Sequence, residues 1–343
     1  MNDRLQTVIG DVTERYRAAG YFPAAAVRVF DREKTLAVYC AGDCREDSLF
    51  DVASLTKIAT ATMILRWIAD GTLALSDTLD ALFPEIARDE YLRARLDGVT
   101  LFQLLTHTAT ITPWFPLYSR RGEDFWHVFR FALQNTPRVE GMEYSDLNFM
   151  LLGRLCERLS GLPLADCLQK KLVEPLGLGR MMFHPPVGAD VVPSSYDNRI
   201  EMNMCAERGI AFDGFRPLHT PVAGTVNDGN AHYFFHGCAG HAGIFAEPEA
   251  YERLCRYYMN AREDVLRQAQ LEQAPTRGLG LQTGVSYPHG CGHTGFTGTS
   301  IYFSAEHNIG VVAFTNRLFY DHPNPNMTGD FRRALHEAVF AAR

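Results

Sequence analysis

The feature that most narrows the folds open to this chain is the placement of its apolar, β-branched runs, which lie at the two ends with a helical stretch between them. Near the start, Ala24 to Phe30 and Thr35 to Ala41 flank the polar turn Asp31-Arg32-Glu33-Lys34 and read as a β-hairpin. Near the end, Gly278 to Gln282, Phe296 to Phe303 and Ile309 to Thr315 carry strand signals, the last two separated by Ala305-Glu306-His307-Asn308. Strands so far apart in sequence predict an α/β (α+β) fold with one antiparallel sheet built from both termini. Leu5, Val8, Ile9, Val12 and Tyr16 at helical spacing predict a helix ahead of the hairpin, and a last helix is expected from about Asp330 to Ala342.

The middle reads as helical. From Ser54 to Ala69 apolar residues go round most of the cylinder, which predicts a buried helix, ended by Asp70-Gly71. Thr72 to Asn135 is helical with turns and includes Thr100-Leu101-Phe102-Gln103, which has capping-box spacing. Asp146 to Leu159 repeats leucine at Leu147, Leu151, Leu155 and Leu159 and stops at Gly161. Pro185 to Asn230, rich in Pro, Gly, Asn and Asp, reads as long irregular loops. The expected organisation is a sheet part from residues 1–75 and 236–343, a mainly helical part from 76–235, and a site in the cleft between them.

Composition excludes some classes of partner. A formal net charge of -7 and the lack of a basic run argue against nucleic acid or an anionic membrane surface. No uncharged run is long enough to span a bilayer, and the amphipathic first helix does not read as a signal peptide, so a cytoplasmic location is expected. The 8 cysteines are scattered and read as free thiols. Oligomeric state is left open.

Chemistry begins at Ser54-Leu55-Thr56-Lys57. A serine hydroxyl is a poor nucleophile at neutral pH and needs an activating neighbour, and residues three apart share a helix face. At a helix start Ser54 also has backbone N–H groups nearby to stabilise an oxyanion. Lysine is rare here, confined to Lys34, Lys57, Lys170 and Lys171, and Lys57 lies in the uncharged stretch from Val52 to Leu65, where burial is expected to lower its pKa. Unlike arginine, a desolvated lysine can give up its proton. Two further features follow in order: Tyr144-Ser145-Asp146 ahead of the Asp146 helix, and His293-Thr294-Gly295, expected to open a strand and followed by Phe296.

S-x-x-K, then Y-S-x, then [KH]-T-G resembles the penicillin-recognising serine hydrolases, the group of class C β-lactamases, D-alanyl-D-alanine carboxypeptidases and family VIII esterases. Leu104-Leu105-Thr106-His107-Thr108, Glu174-Pro175-Leu176-Gly177-Leu178, Gly240-His241-Ala242-Gly243 and Thr315-Asn316-Arg317 are also similar to segments of that group, so the resemblance spans about Phe22 to Arg343. It implies Ser54 as nucleophile, Lys57 as its proton acceptor or electrostatic partner, and Tyr144 as general acid/base. It further implies that His293 and Thr294 line the site, with Asp146 and Gly295 beside them, and that the N–H groups of Ser54 and Phe296 form an oxyanion hole.

The chain departs from the pattern twice. Asp146 stands where the β-lactamases of this group usually carry asparagine, and an ionised carboxylate there would hold Lys57 protonated and throw proton transfer onto Tyr144. His293 stands where they carry lysine, which reduces the fixed positive charge available to a substrate carboxylate. Both changes favour ester or peptide-like substrates over β-lactams. A penicillin-type ligand binder or sensor that acylates without turnover is the alternative from another class. No cofactor is expected. His232, His236, Cys238 and His241 lie close in sequence, but glycines break the region and no glutamate completes an H-E-x-x-H pattern, so no metal is expected. The G-x-S-x-G elbow of an α/β-hydrolase is absent around Ser54.

Overall fold

The computed structural model describes residues 2–320 and 328–343. Its strands are β1 (Ala25–Phe30), β2 (Thr35–Ala41), β3 (Phe50–Asp51), β4 (Met181–Met182), β5 (Phe245–Ala246), β6 (Cys291–Thr294), β7 (Ser300–Ser304) and β8 (Ile309–Thr315). The main sheet has the order β2-β1-β8-β7-β6, antiparallel throughout, so the first hairpin is completed by strands from the far end of the chain. β1 is buried along its whole length because both faces of the sheet are covered. Period-two alternation divides it: Ala25, Val27 and Val29 pack with Leu5, Ile9, Phe331 and Leu335 of the terminal helices Asp3–Ala18 and Thr328–Ala342. Ala26 and Phe30 face the other way, into the large core shared with the helices Thr56–Ala69 and Pro248–Met259. On that face Arg28 donates from Nε to Glu252 at 2.6 Å, a buried pair joining sheet to helix.

Most expected elements appear, including the Thr100–Gln103 capping box ahead of Leu101–Leu105 and the Asp146–Ser160 helix capped by Ser145 and ended by left-handed Gly161. Three expectations fail. Gly278 to Gln282 makes only isolated bridges, because Gly280 at φ 76° turns the chain out of any extended path. The outer strand is instead β6, so His293 and Thr294 close a strand, and Gly295 to Thr299 form the turn leading into β7. Finally, the loop-like stretch before Asn230 contains a helix, Arg199–Glu207.

The large core runs without interruption from Phe314 of the sheet, through Ile58 and Ile64, to Leu104 and Leu151 of the helical region. Where the Asp146–Ser160 helix meets the chain at Gly240, two glycines let backbones touch: a Cβ on Gly240 would strike the Phe149 carbonyl and stand 2.7 Å from Gly153 Cα. The Gly240 carbonyl in turn accepts from Thr60 Oγ1 at 2.8 Å. Gly240→Ala should therefore lower stability by about 1–3 kcal/mol through overpacking. Urea unfolding should show a lower midpoint with an unchanged slope.

Candidate active site

The chain approaches Ser54 under tight control. β3 pairs with β5, and Val52 N–H donates to the Ile244 carbonyl at 3.0 Å. Thr297 Oγ1 and Thr299 Oγ1, in the turn after β6, donate to the carbonyls of Asp51 and Val52 at 2.7 and 2.9 Å. The Asp51 carboxylate accepts from the N–H groups of Ala53 and Asn227 at 2.9 and 2.7 Å. Burial nevertheless pushes the Asp51 pKa up to about 6. These clamps hold Ala53 at φ 47°, a left-handed conformation that costs a residue with a Cβ about 1–2 kcal/mol. Ser54 then sits in the tight turn Ala53–Leu55, one turn ahead of Lys57 at the start of Thr56–Ala69.

Lys57 is fully buried and its Nζ meets three acceptors: Ser54 Oγ at 3.0 Å, the His241 carbonyl at 3.1 Å and Asp146 Oδ1 at 2.7 Å. An ammonium has three N–H donors, so this geometry saturates the protonated form. Burial works to lower its pKa, but the charge of Asp146 and the Tyr144 phenol outweigh it and hold it above the usual lysine value. The expected depression by burial is thus reversed by Asp146. Tyr144 lies with its ring centroid 4.9 Å from Lys57 Nζ, and its hydroxyl also interacts with Ser54. Burial raises the Tyr144 pKa, with Lys57 pulling it back and Asp146 adding to the rise. His107 supports this corner: its ring is 4.6 Å from that of Tyr144, and its Nδ1 accepts from Ser145 N–H at 3.0 Å.

Ser54, Tyr144, Asp146, Thr294, Gly295 and Phe296 share a cleft of about 430 Å³. His293 does not line it. Strand alternation turns His293 to the side of core residue Cys291, and its ring packs 6.0 Å behind Tyr144. Its Nδ1 lies 2.8 Å from the Thr294 carbonyl oxygen. Desolvation, with Arg277 and Lys57, holds His293 well below its usual pKa, so it is neutral. Sequence reasoning passed over the residues that supply the missing charge. Arg277 and Arg332 line the cleft, Arg277 over the Tyr144 ring at 5.1 Å and Arg332 donating to the carbonyls of Gly295 and Thr299 at 2.8 and 2.9 Å. Burial pushes Arg332 down to about 10, which leaves it cationic at neutral pH.

The histidines near Gly240 part company. His232 stacks edge-on against Tyr233, whereas His241 Nε2 lies 3.0 Å from Asp228 Oδ1. Among the described residues, Asp146, Asp228 and His241 could bring one ligand atom each within 4.8 Å of the others, but Asp146 is already bound to the Lys57 ammonium. A divalent ion there would be placed against that positive charge.

Similarity to known proteins follows the same outline. The chain is 24% identical over 319 residues to the N-acetylmuramyl-L-alanine amidase of Bacillus subtilis, covering 82% of this chain and 71% of the relative. Its fold superposes on EstCE1, a hydrolase with promiscuous acyltransferase activity, with a TM-score of 0.73 at 17% identity, over 98% of this chain and 99% of the other. The β-lactamase/D-alanine carboxypeptidase from Yersinia pestis gives 0.68 at 20% identity, over 98% of both chains. The model of the Beta-lactamase family matches residues 9–336, nearly the whole of the described structure, and the chain belongs to that family of serine hydrolases.

Proposed function

We propose that the protein hydrolyses a small ester or peptide-like amide through an acyl-enzyme on Ser54. The observation that carries this reading is Lys57 Nζ, a buried ammonium 3.0 Å from the Oγ of Ser54, which lines the cleft. Ser54 Oγ attacks the carbonyl carbon, and its proton passes to the Tyr144 phenolate, whose negative charge Lys57 stabilises. The N–H groups of Ser54 and Phe296 are assigned to the oxyanion, each donor worth about 3 kcal/mol. Tyr144 then gives the proton to the leaving group, takes one from the water that attacks the acyl carbonyl, and passes that proton to Ser54 Oγ as the acyl–oxygen bond breaks, which restores the free serine and the phenolate. Lys57, with its three donors engaged, acts as a fixed charge in the resting enzyme. The cationic Arg277 and Arg332 are suited to a substrate carboxylate. That supports a second reading, a β-lactamase or D-alanyl-D-alanine carboxypeptidase, and restores what a neutral His293 removes. All eight cysteines are free thiols, which supports a cytoplasmic location.

Replacing Ser54 with Ala should lower kcat/KM for a short-chain nitrophenyl ester by about 10³-fold or more and abolish covalent labelling. Sustained turnover, in contrast to a single stoichiometric burst, separates the hydrolase from an acylated sensor. Relative kcat/KM for that ester, a chromogenic cephalosporin and a D-Ala-D-Ala peptide should place the ester or the peptide first.

The base should also declare itself in the pH profile. Because Tyr144 is held above its usual pKa and must be ionised to accept a proton, kcat/KM should climb through the alkaline range. Asp146 raises the pKa of both Tyr144 and Lys57, so Asp146→Asn should move that limb towards lower pH. An unmoved limb would remove Tyr144 as the group that titrates.

A further inference from the structure

The Asp51 carboxylate joins two segments of chain. Its Oδ1 accepts from Ala53 N–H at 2.9 Å, inside the turn that carries Ser54, and its Oδ2 accepts from Asn227 N–H at 2.7 Å. Asp51 is 2% exposed, so these two N–H groups take the place of its hydration. Asn227 lines the cleft with Glu201 and Asp228 and is itself held firmly. Its Nδ2 donates to Ser195 Oγ at 2.5 Å, and its carbonyl accepts from Asn198 Nδ2 at 2.6 Å. Arg216 donates to the adjoining Val226 carbonyl at 2.6 Å. Thr297 and Thr299 clasp the approach to Ser54 through hydroxyls, which do not titrate near neutral pH, whereas a carboxylate can lose its charge. Protonation would set an O–H donor on one oxygen where an N–H already points, and one of the two bonds would give way. Ala53, at φ 47°, would then have less to keep its left-handed backbone in place ahead of the nucleophile.

We propose that Asp51 is a positioning residue for the hydrolytic reaction: its ionised carboxylate ties the Ser54 turn to the cleft wall at Asn227, and the serine is set for attack only while both N–H groups are bound. This deepens the hydrolase reading and rests on it. The groups that act on the Asp51 charge are on the page. Burial favours the protonated form, the N–H groups of Asn227 and Ala53 oppose it, Asp228 adds to the rise and Arg216 subtracts from it, which leaves the pKa at about 6. Thr297 meets only the Asp51 carbonyl, so it does not bear on that charge directly. The sign of the linkage is informative. A folded-state pKa above the ordinary carboxyl value means that the ionised form costs stability, and that this cost is relieved as pH falls through about 6. Acid should therefore relax the nucleophile turn while Asp51's own contribution to the fold becomes more favourable. A residue that served the fold alone would not drive activity and stability in opposite directions.

The test is the pH dependence of kcat/KM for a neutral nitrophenyl ester, measured first on the native protein. Below about pH 6 the logarithmic plot should steepen by one unit of slope, an additional loss of about tenfold between pH 7 and pH 5. Asp51→Asn turns an amide N–H2 towards one of the two N–H groups. It should lower kcat/KM by about tenfold or more at pH 8 and remove the break. Arg216→Gln takes away a cation that favours the ionised carboxylate, and should move the break to higher pH. Thermal unfolding supplies the other half: between pH 7 and pH 5 the Tm of the native protein should rise relative to that of Asp51→Asn. A native profile without the break, a break that persists in Asp51→Asn, or native kcat/KM in that variant at pH 8 would overturn the proposal. The native profile does not depend on either variant folding. Because the break is a change of slope, it is read equally well whether the limb above it belongs to Tyr144 or to another base. Ester turnover that survives Ser54→Ala would sink the hydrolase reading; Ser54-dependent turnover without the break would remove only the role of Asp51.

Discussion

The Lys57 ammonium is the interaction on which the arrangement of the cleft depends. A lysine without solvent is costly unless every donor is met, and here the acceptors come from three distant segments: the turn at Ser54, the first residue of the Asp146–Ser160 helix, and the carbonyl of His241. The protonated side chain is therefore a cross-brace as well as a source of positive charge beside the nucleophile. The His241 carbonyl reaches Nζ because Gly240 and Gly153 let two backbones touch, and Thr60, one turn beyond Lys57, holds the Gly240 carbonyl. Packing and electrostatics are one device here: a Cβ at Gly240 would displace the carbonyl that completes the ammonium's coordination.

That coupling explains what could be read from the sequence. Ser54 and Lys57 are local to one helix turn, so residue type and spacing point to them directly, whereas Tyr144, ahead of a strongly periodic helix, takes its role only from the resemblance to the family. The sheet was legible because β-branched runs at both ends have few other ways to be buried, and β1 with β8 sit at its centre. The outer strand was misplaced because Gly278 to Gln282 has apolar residues in a strand-like run, whereas the left-handed backbone at Gly280 is set by tertiary fit. His293 was placed in the cleft by analogy, but strand alternation puts it behind Tyr144. Arg277, Arg332, Glu201 and Asp228 carried no local signal. Arg332 looks like an ordinary residue of an amphipathic terminal helix, and Glu201 lies in a stretch whose composition hid its helix.

Charge in the cleft is consequently organised differently from what the motif residues alone imply. His293 is neutral, and cationic character comes from arginines contributed by a loop and by the last helix. Asp146 keeps Lys57 protonated and at the same time discourages ionisation of Tyr144. The resting site thus stores a proton on both of its candidate bases. Its reactivity depends on a balance between two opposite charges less than 3 Å apart, and this balance responds to any group a substrate brings within a few ångströms.

The order of the main sheet also governs how the molecule is made. Ala25 of β1 lies opposite Thr315 of β8, so β1 acquires its second neighbour only after the whole helical middle and the late strands have been made. Pairings of such long range are slow, since the entropy of closing the loop must be met before the contacts reward it. Thr297 and Thr299, which clasp the chain ahead of Ser54, arrive with the same late strands. During synthesis the helical middle can collapse first, but the nucleophile remains unformed until the segment carrying Thr297 and Thr299 docks. The fold therefore works as an assembly check, because a partly made chain has no competent serine to acylate.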